Sequence, residues 1–215
     1  MSLIRVAVVD DHVIFSQALK TLISSFDDMY VVFSATNGLE FIDHLKIQKE
    51  LPDVLLLDVR MPILDGKETI KFLARSYPDI KVIALTMEDD EDTIVHMLQY
   101  GCKGYLLKDV DPPQLREAII QVYQGDYAYI EIVKDAMQAK KRSRFEKNKL
   151  EIHFTKREEE LVQYICGTDK SYNEIAEELN LSPKTIDNIR AAIFNKLGVH
   201  SRVSAIFCAR ELGLV

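Results

Sequence analysis

From residue 3 onward, short apolar runs alternate with longer stretches in which apolar side chains recur every three or four positions. The short runs predict strands at Leu3–Val9, Tyr30–Ala35, Asp53–Leu57, Lys81–Leu85 and Gly104–Leu107. Five helical stretches are interleaved with them. The first sets Phe15, Leu19, Leu22, Ile23 and Phe26 on one stripe, and the fourth, beginning near Asp89, ends at Gly101, a residue suited to a left-handed helix terminus. Five βα units in succession predict a doubly wound parallel sheet covered by helices. In such α/β sheets ligands bind beyond the carboxyl ends of the strands, so polar residues there are the first functional candidates.

After residue 150 the strand signals stop and helix starts become legible. Thr155-Lys156-Arg157-Glu158 and Ser171-Tyr172-Asn173-Glu174 are capping-box patterns, and Ser182-Pro183 supplies an N-cap followed by proline in the first turn. Ser201 caps a fourth helix carrying Val203, Ile206, Ala209 and Leu212. A small all-α domain is therefore expected at 151–215, after an α/β domain at 1–126 and a linker or linker helix at 127–150.

Charge separates these parts. Residues 1–133 carry 12 basic against 22 acidic side chains, residues 134–150 carry 7 against 2, and residues 151–215 carry 8 against 10. The net charge of -7 thus hides a basic block, with Lys140-Lys141-Arg142-Ser143-Arg144 at its centre, between an acidic domain and a nearly neutral one. That block reads as a solvated, self-repelling segment, with contact to backbone phosphates as the alternative. No apolar run approaches the roughly 18 residues that span a bilayer, and the N-terminus reads as a buried strand rather than a signal peptide. Cys102, Cys166 and Cys208 are odd in number and have no metal-type spacing, which suggests reduced core thiols in a cytoplasmic protein.

Asp10 and Asp11 close the first strand, Asp58 the third, Thr86 the fourth and Lys108 the fifth, so all five converge on one sheet edge. Crowded carboxylates repel unless a cation joins them, and an oxygen-rich site with few protein ligands suits Mg²⁺. A carboxylate there can accept a phosphoryl group, with a metal, an ammonium and a hydroxyl neutralising its oxygens.

The segments Val9-Asp10-Asp11-His12, Leu57-Asp58-Val59-Arg60-Met61-Pro62, Asp65-Gly66, Ala84-Leu85-Thr86 and Gly104-Tyr105-Leu106-Leu107-Lys108-Asp109 resemble the receiver domain of response regulators, over about residues 3–124. The resemblance implies a flavodoxin-like five-stranded fold with Asp58 as phosphoacceptor. It implies Mg²⁺ held by Asp11, Asp58 and the backbone carbonyl of Arg60, with Asp10 acting through water. Thr86 and Lys108 would grip the phosphoryl oxygens, and Tyr105 stands at the switch-aromatic position, turning inward as Thr86 moves.

In the second domain, Ser171–Asn180 and Pro183–Lys196 read as two helices joined by a short turn, and Ile186, Ile189, Ile193 and Leu197 form the buried stripe of the second. Its other face mixes polar and small residues, as a surface entering a major groove does. Phe154-Thr155-Lys156-Arg157-Glu158, Asn173-Glu174-Ile175-Ala176, Leu181-Ser182-Pro183-Lys184-Thr185-Ile186 and Asn195-Lys196-Leu197-Gly198-Val199-His200-Ser201-Arg202 resemble the LuxR-type helix-turn-helix domain. With a receiver before it, the chain is similar to the NarL/FixJ family of transcriptional regulators. Carried over, Asp187, Asn188 and Ala191 face the bases of double-stranded DNA, and Ser182, Lys184, Thr185, Lys196 and Arg202 meet phosphates. The implied partners are a sensor histidine kinase, DNA and a second copy of the chain once phosphorylated. The expected chemistry is that of a phosphoacceptor assisting its own phosphoryl transfer and dephosphorylation, not that of a turnover enzyme.

Asp187 stands where the family usually has lysine and Ile189 where it has histidine, and the turn from Cys166 to Ser171 is long. These departures leave two rivals: a phosphorylation-independent regulator or an interaction module with weak DNA binding. A haloacid-dehalogenase-type phosphatase is disfavoured, because it wants an Asp-x-Asp nucleophile on its first strand and a cap insertion, and neither is present.

Overall fold

The computed structural model describes residues 3–48, 50–87, 91–129 and 152–215; the basic block of the linker lies outside the described residues. The packing divides the chain into two units, residues 1–89 with 100–130 and residues 90–99 with 131–215.

The first unit is built on strands β1 (Ile4–Val9), β2 (Met29–Ala35), β3 (Val54–Asp58), β4 (Lys81–Thr86), β5 (Gly104–Leu107) and β6 (Ala128–Tyr129). All pair in parallel, in the order β2-β1-β3-β4-β5-β6. The five expected strands are present, each with ends within one residue of the sequence reading. β6 was not expected. It has only two residues, too few for any periodicity, and joins the edge through Ala128 N–H donating to the carbonyl of Lys103 at 3.0 Å. β3 is buried at every position, as a central parallel strand covered on both faces must be.

Helices α1 (Val13–Ser24), α2 (Gly38–Ile47), α3 (Gly66–Ser76) and α5 (Pro112–Gln124) belong to this unit. On α1, Leu19 and Ile23 are buried while Phe15, Leu22 and Phe26 pack partly buried on the same core, which is the predicted stripe. Asn37, Asp65 and Asp111 cap α2, α3 and α5 by accepting from the third helical amide. α4 (Glu91–Gln99) is grouped with the second unit, and Gly101 after it has φ 86°, the left-handed conformation expected there.

The second unit also holds α6 (Lys156–Gly167), α7 (Tyr172–Glu178), α8 (Pro183–Leu197) and α9 (Arg202–Glu211). Both capping boxes form, at Thr155/Glu158 and Ser171/Glu174. The turn after α7 is set by Asn180 at φ 52°: its amide donates to Glu177 O and that of Leu181 to Ala176 O, at 3.1 and 2.9 Å. This pair of bonds ends α7 and delivers the chain to Ser182, whose hydroxyl accepts from Thr185 N–H to start α8. Leu212 is a correction. It caps α9 and is 46% exposed, because Gly213 turns the chain away at φ 66°. All three cysteines are buried free thiols, and burial pushes Cys102 and Cys166 up to about 12. No described helix is long and apolar enough to cross a membrane.

Candidate functional site

Strand register builds the acidic pocket. Val9 pairs with Leu57, Asp58 with Leu85 and Thr86 with Leu107, so the residues at the strand ends, Asp10, Asp58, Thr86 and Lys108, stand in a row. Asp10 and Asp58 are 1% and 3% exposed, and Thr86 is buried beside them. The Lys108 ammonium lies 2.8 Å from Asp58 Oδ2 and 2.8 Å from Asp10 Oδ2, with the Phe15 ring 5.1 Å from its nitrogen. Burial, foremost, raises the Asp58 carboxyl above its ordinary value; the Lys108 hydrogen bond opposes this and the Asp10 charge adds to it. Burial alone would lower Lys108, but its two carboxylate partners outweigh that and raise it.

The loop after β3 is held close. Gly66 packs so near that a Cβ there would lie 2.4 Å from the Asp58 carbonyl oxygen, which accounts for glycine at this position. Leu64 N–H donates to Pro62 O at 2.8 Å around Ile63, whose φ of 69° is strained for a β-branched residue. Arg60 N–H donates to Asp58 Oδ1 at 3.3 Å, which places the Arg60 peptide beside the Asp58 carboxylate.

This donor set fits a divalent cation. Among the described residues Asp11 Oδ1 is a buried oxygen that accepts no hydrogen bond, and the buried Asp10 Oδ2 faces the Lys108 ammonium. A fourth residue, not singled out from the sequence, joins the cluster: one ligand atom from each of Asp10, Asp11, His12 and Asp58 lies within 4.8 Å of the others. Tyr105, read from the sequence as the switch aromatic, is 0% exposed and lies in the core.

On α8 the predicted division of faces is observed. Ile186, Ile193 and Leu197 are buried and Ile189 is half-buried; Ser182, Lys184, Asp187, Asn188 and Ala191 are exposed and Thr185 half-exposed. Asp187 does not stand alone, since Arg190 Nη2 is 3.2 Å from its Oδ1 and the Arg190 guanidinium lies over the Tyr172 ring. Arg190 was missed because its position, one turn from Asp187, reads equally as a solvated charge.

Two expected phosphate contacts fall differently. Arg202 is 1% exposed, and its Nε and Nη2 donate to the carbonyls of Ile165 and Thr168 at 2.8 and 3.0 Å, so it braces the end of α6 rather than facing DNA. Lys196 is exposed, but its ammonium lies 2.6 Å from Glu158 Oε2 and 3.2 Å from the carbonyl of His153. The Lys196 hydrogen bond is the main reason the Glu158 carboxyl is lowered. A lowered carboxyl contributes stability that is present above its unfolded pKa and lost as pH falls through the folded one. Lys196→Ala is therefore expected to cost about 1 kcal/mol in urea unfolding at neutral pH. The difference from wild type should vanish once pH drops below the ordinary carboxylate range; a pH-independent difference would contradict the ion-pair account.

Residues 6–120 match the response regulator receiver domain, and residues 153–209 match the bacterial regulatory proteins of the luxR family. The chain is 34% identical over 215 residues to the response regulator GacA of Pseudomonas viridiflava, covering 99% of this chain and 98% of that protein. It is 32% identical over 214 residues to the response regulator UvrY of Escherichia coli K12, covering 99% and 96%. Among solved structures it is similar to the response regulator ChrA of a heme-sensing two-component system, with TM-score 0.53, 30% identity and both chains covered completely. The response regulator RcsB in a DNA complex shares the fold, with TM-score 0.59 and 23% identity over 98% of this chain and 100% of that one. The acidic pocket at the sheet edge, the helix-turn-helix behind it in sequence and these full-length relatives agree: the chain belongs to the NarL/FixJ-type response regulators, with a receiver followed by a LuxR-type DNA-binding domain.

Proposed function

We propose that Asp58 accepts a phosphoryl group from a phosphohistidine of a sensor kinase in the cytoplasm, and that this modification controls dimerisation and DNA binding by the second unit. The observation that carries this reading is the Lys108 ammonium at 2.8 Å from both Asp58 and Asp10, on a sheet edge that also holds Thr86. An Asp58 carboxylate oxygen attacks phosphorus, the phosphorus–nitrogen bond of the donor breaks, and an aspartyl acyl phosphate remains. Lys108 and the Thr86 hydroxyl neutralise the phosphoryl oxygens. Asp11, Asp58 and the Arg60 carbonyl would hold Mg²⁺, with Asp10 acting through water. The cation, when bound, offsets the negative charge of donor and acceptor. The same groups assist hydrolysis of the acyl phosphate, so the protein resets itself without being a turnover enzyme.

Tyr105 lies buried in the core, and the switch is a shift in population between packings rather than a single inward swing. Phosphoryl oxygens that draw Thr86 toward Asp58 favour the packing in which Tyr105 stays inside, and that packing favours pairing of two chains. Pairing sets two α8 helices about 10 base pairs apart, with Asp187, Asn188 and Ala191 toward bases and Ser182, Lys184 and Thr185 toward phosphates.

Sedimentation of wild type and Tyr105→Ala, each with a small phosphodonor and Mg²⁺, tests this. Both proteins should be labelled, and wild type should shift from monomer to dimer far more than the variant. Labelled wild type that stays monomeric would instead favour a regulator acting without phosphorylation-driven pairing.

A further inference from the structure

We propose that His12 is a metal ligand of the acidic pocket, and that its imidazole makes this pocket prefer Mn²⁺ and later first-row divalent ions over Mg²⁺. The proposal rests on the pocket being a cation site. His12 Nδ1 lies 3.0 Å from Asp11 Oδ1, 3.3 Å from Asp10 Oδ1 and 3.9 Å from Asp58 Oδ2. Ligand bonds of about 2.0–2.2 Å bring donors to such separations around one ion.

No structural duty explains this placement. His12 is the N-cap residue of α1, yet its side chain makes no capping hydrogen bond. Its backbone N–H, not the ring, satisfies Asp10 Oδ1, at 2.8 Å. The ring is 66% exposed, so it contributes little to the core. It faces a buried oxygen, Asp11 Oδ1, that accepts no hydrogen bond although the ring nitrogen is within reach. The ring nitrogen and this oxygen stand side by side with no hydrogen bond between them, as two donors to one cation do.

Position and chemistry then decide the metal. Lys108 occupies one flank of Asp10 and Asp58, and His12 approaches the same carboxylates. Mg²⁺ takes oxygen donors and keeps its waters, so an imidazole gains it little. Affinity for a nitrogen donor rises from Mn²⁺ onward along the first row, and imidazole suits those ions.

Calorimetric titration of the full-length chain with Mn²⁺ and with Mg²⁺, in wild type and His12→Asn, reads the preference directly. Asparagine is a favourable N-cap, so α1 should keep its start, and circular dichroism checks this. Mn²⁺ affinity should fall about tenfold or more in the variant while Mg²⁺ affinity stays within about twofold. Pulsed electron paramagnetic resonance of bound Mn²⁺ should show nitrogen-14 coupling in wild type and none in His12→Asn. Absence of that coupling in wild type, or equal Mn²⁺ affinity in both proteins, overturns the proposal. Wild type that binds both Mg²⁺ and Mn²⁺ with no His12 effect on either overturns it while leaving the pocket reading intact; wild type that binds neither ion overturns both.

Discussion

Asp58→Asn is expected to take up no phosphoryl label from a small phosphodonor, under conditions in which wild type is labelled within its receiver. The amide has no anionic oxygen to attack phosphorus. Misfolding will not account for the loss. The folded carboxyl of Asp58 is raised above its unfolded value, chiefly by burial. Protonation therefore stabilises the fold at low pH, and that contribution is lost as pH rises through the raised value. At neutral pH the ionised side chain is a burden among crowded carboxylates, and asparagine still offers an oxygen to Lys108. Urea unfolding of Asp58→Asn should thus occur at the wild-type midpoint or above it. Labelling of the variant at the wild-type level would transfer the acceptor role elsewhere in the pocket.

Arg202→Ala should destabilise the second unit by about 3–5 kcal/mol. The guanidinium donates to two carbonyls at the end of α6, Ile165 and Thr168, and lies 5.3 Å from the Tyr172 ring centre. Burial pushes that tyrosine up to about 12, which marks the surroundings as poor in water. Removing the side chain leaves two acceptors unsatisfied and an unfilled space, and Arg202→Lys restores at most one of the two bonds. The test is twofold. Urea unfolding should show the loss, and DNA titrations under folding conditions should show an unchanged dependence of log affinity on log salt. A phosphate contact predicts the reverse: unchanged stability and a slope reduced by about 0.9 per contact.

The receiver was legible because its signals are local and redundant. Apolar runs of parallel strands fix the register, and register alone carries Asp10, Asp58, Thr86 and Lys108 to one edge. The helix starts at Thr155, Ser171 and Ser182 were equally plain, since each cap is written within four residues. Long side chains escaped. Arg202 and Lys196 sit where a motif allows a phosphate contact, but nothing local says whether a guanidinium turns outward or back onto α6. His12 escaped because it was read within a strand-end motif, and its distances to three carboxylates exist only once the strands pair. Asp187 looked like a liability for DNA binding until Arg190 was seen beside it at 3.2 Å.

The central claim is that chemistry at Asp58 changes what α8 binds. Its most direct test is the affinity of full-length protein for duplexes selected from a random pool, titrated with and without phosphodonor, in wild type and Asp58→Asn. The account predicts tighter binding by wild type when phosphodonor is present and no change in the variant. Equal affinity of wild type with and without phosphodonor, or a gain that persists in Asp58→Asn, would contradict it.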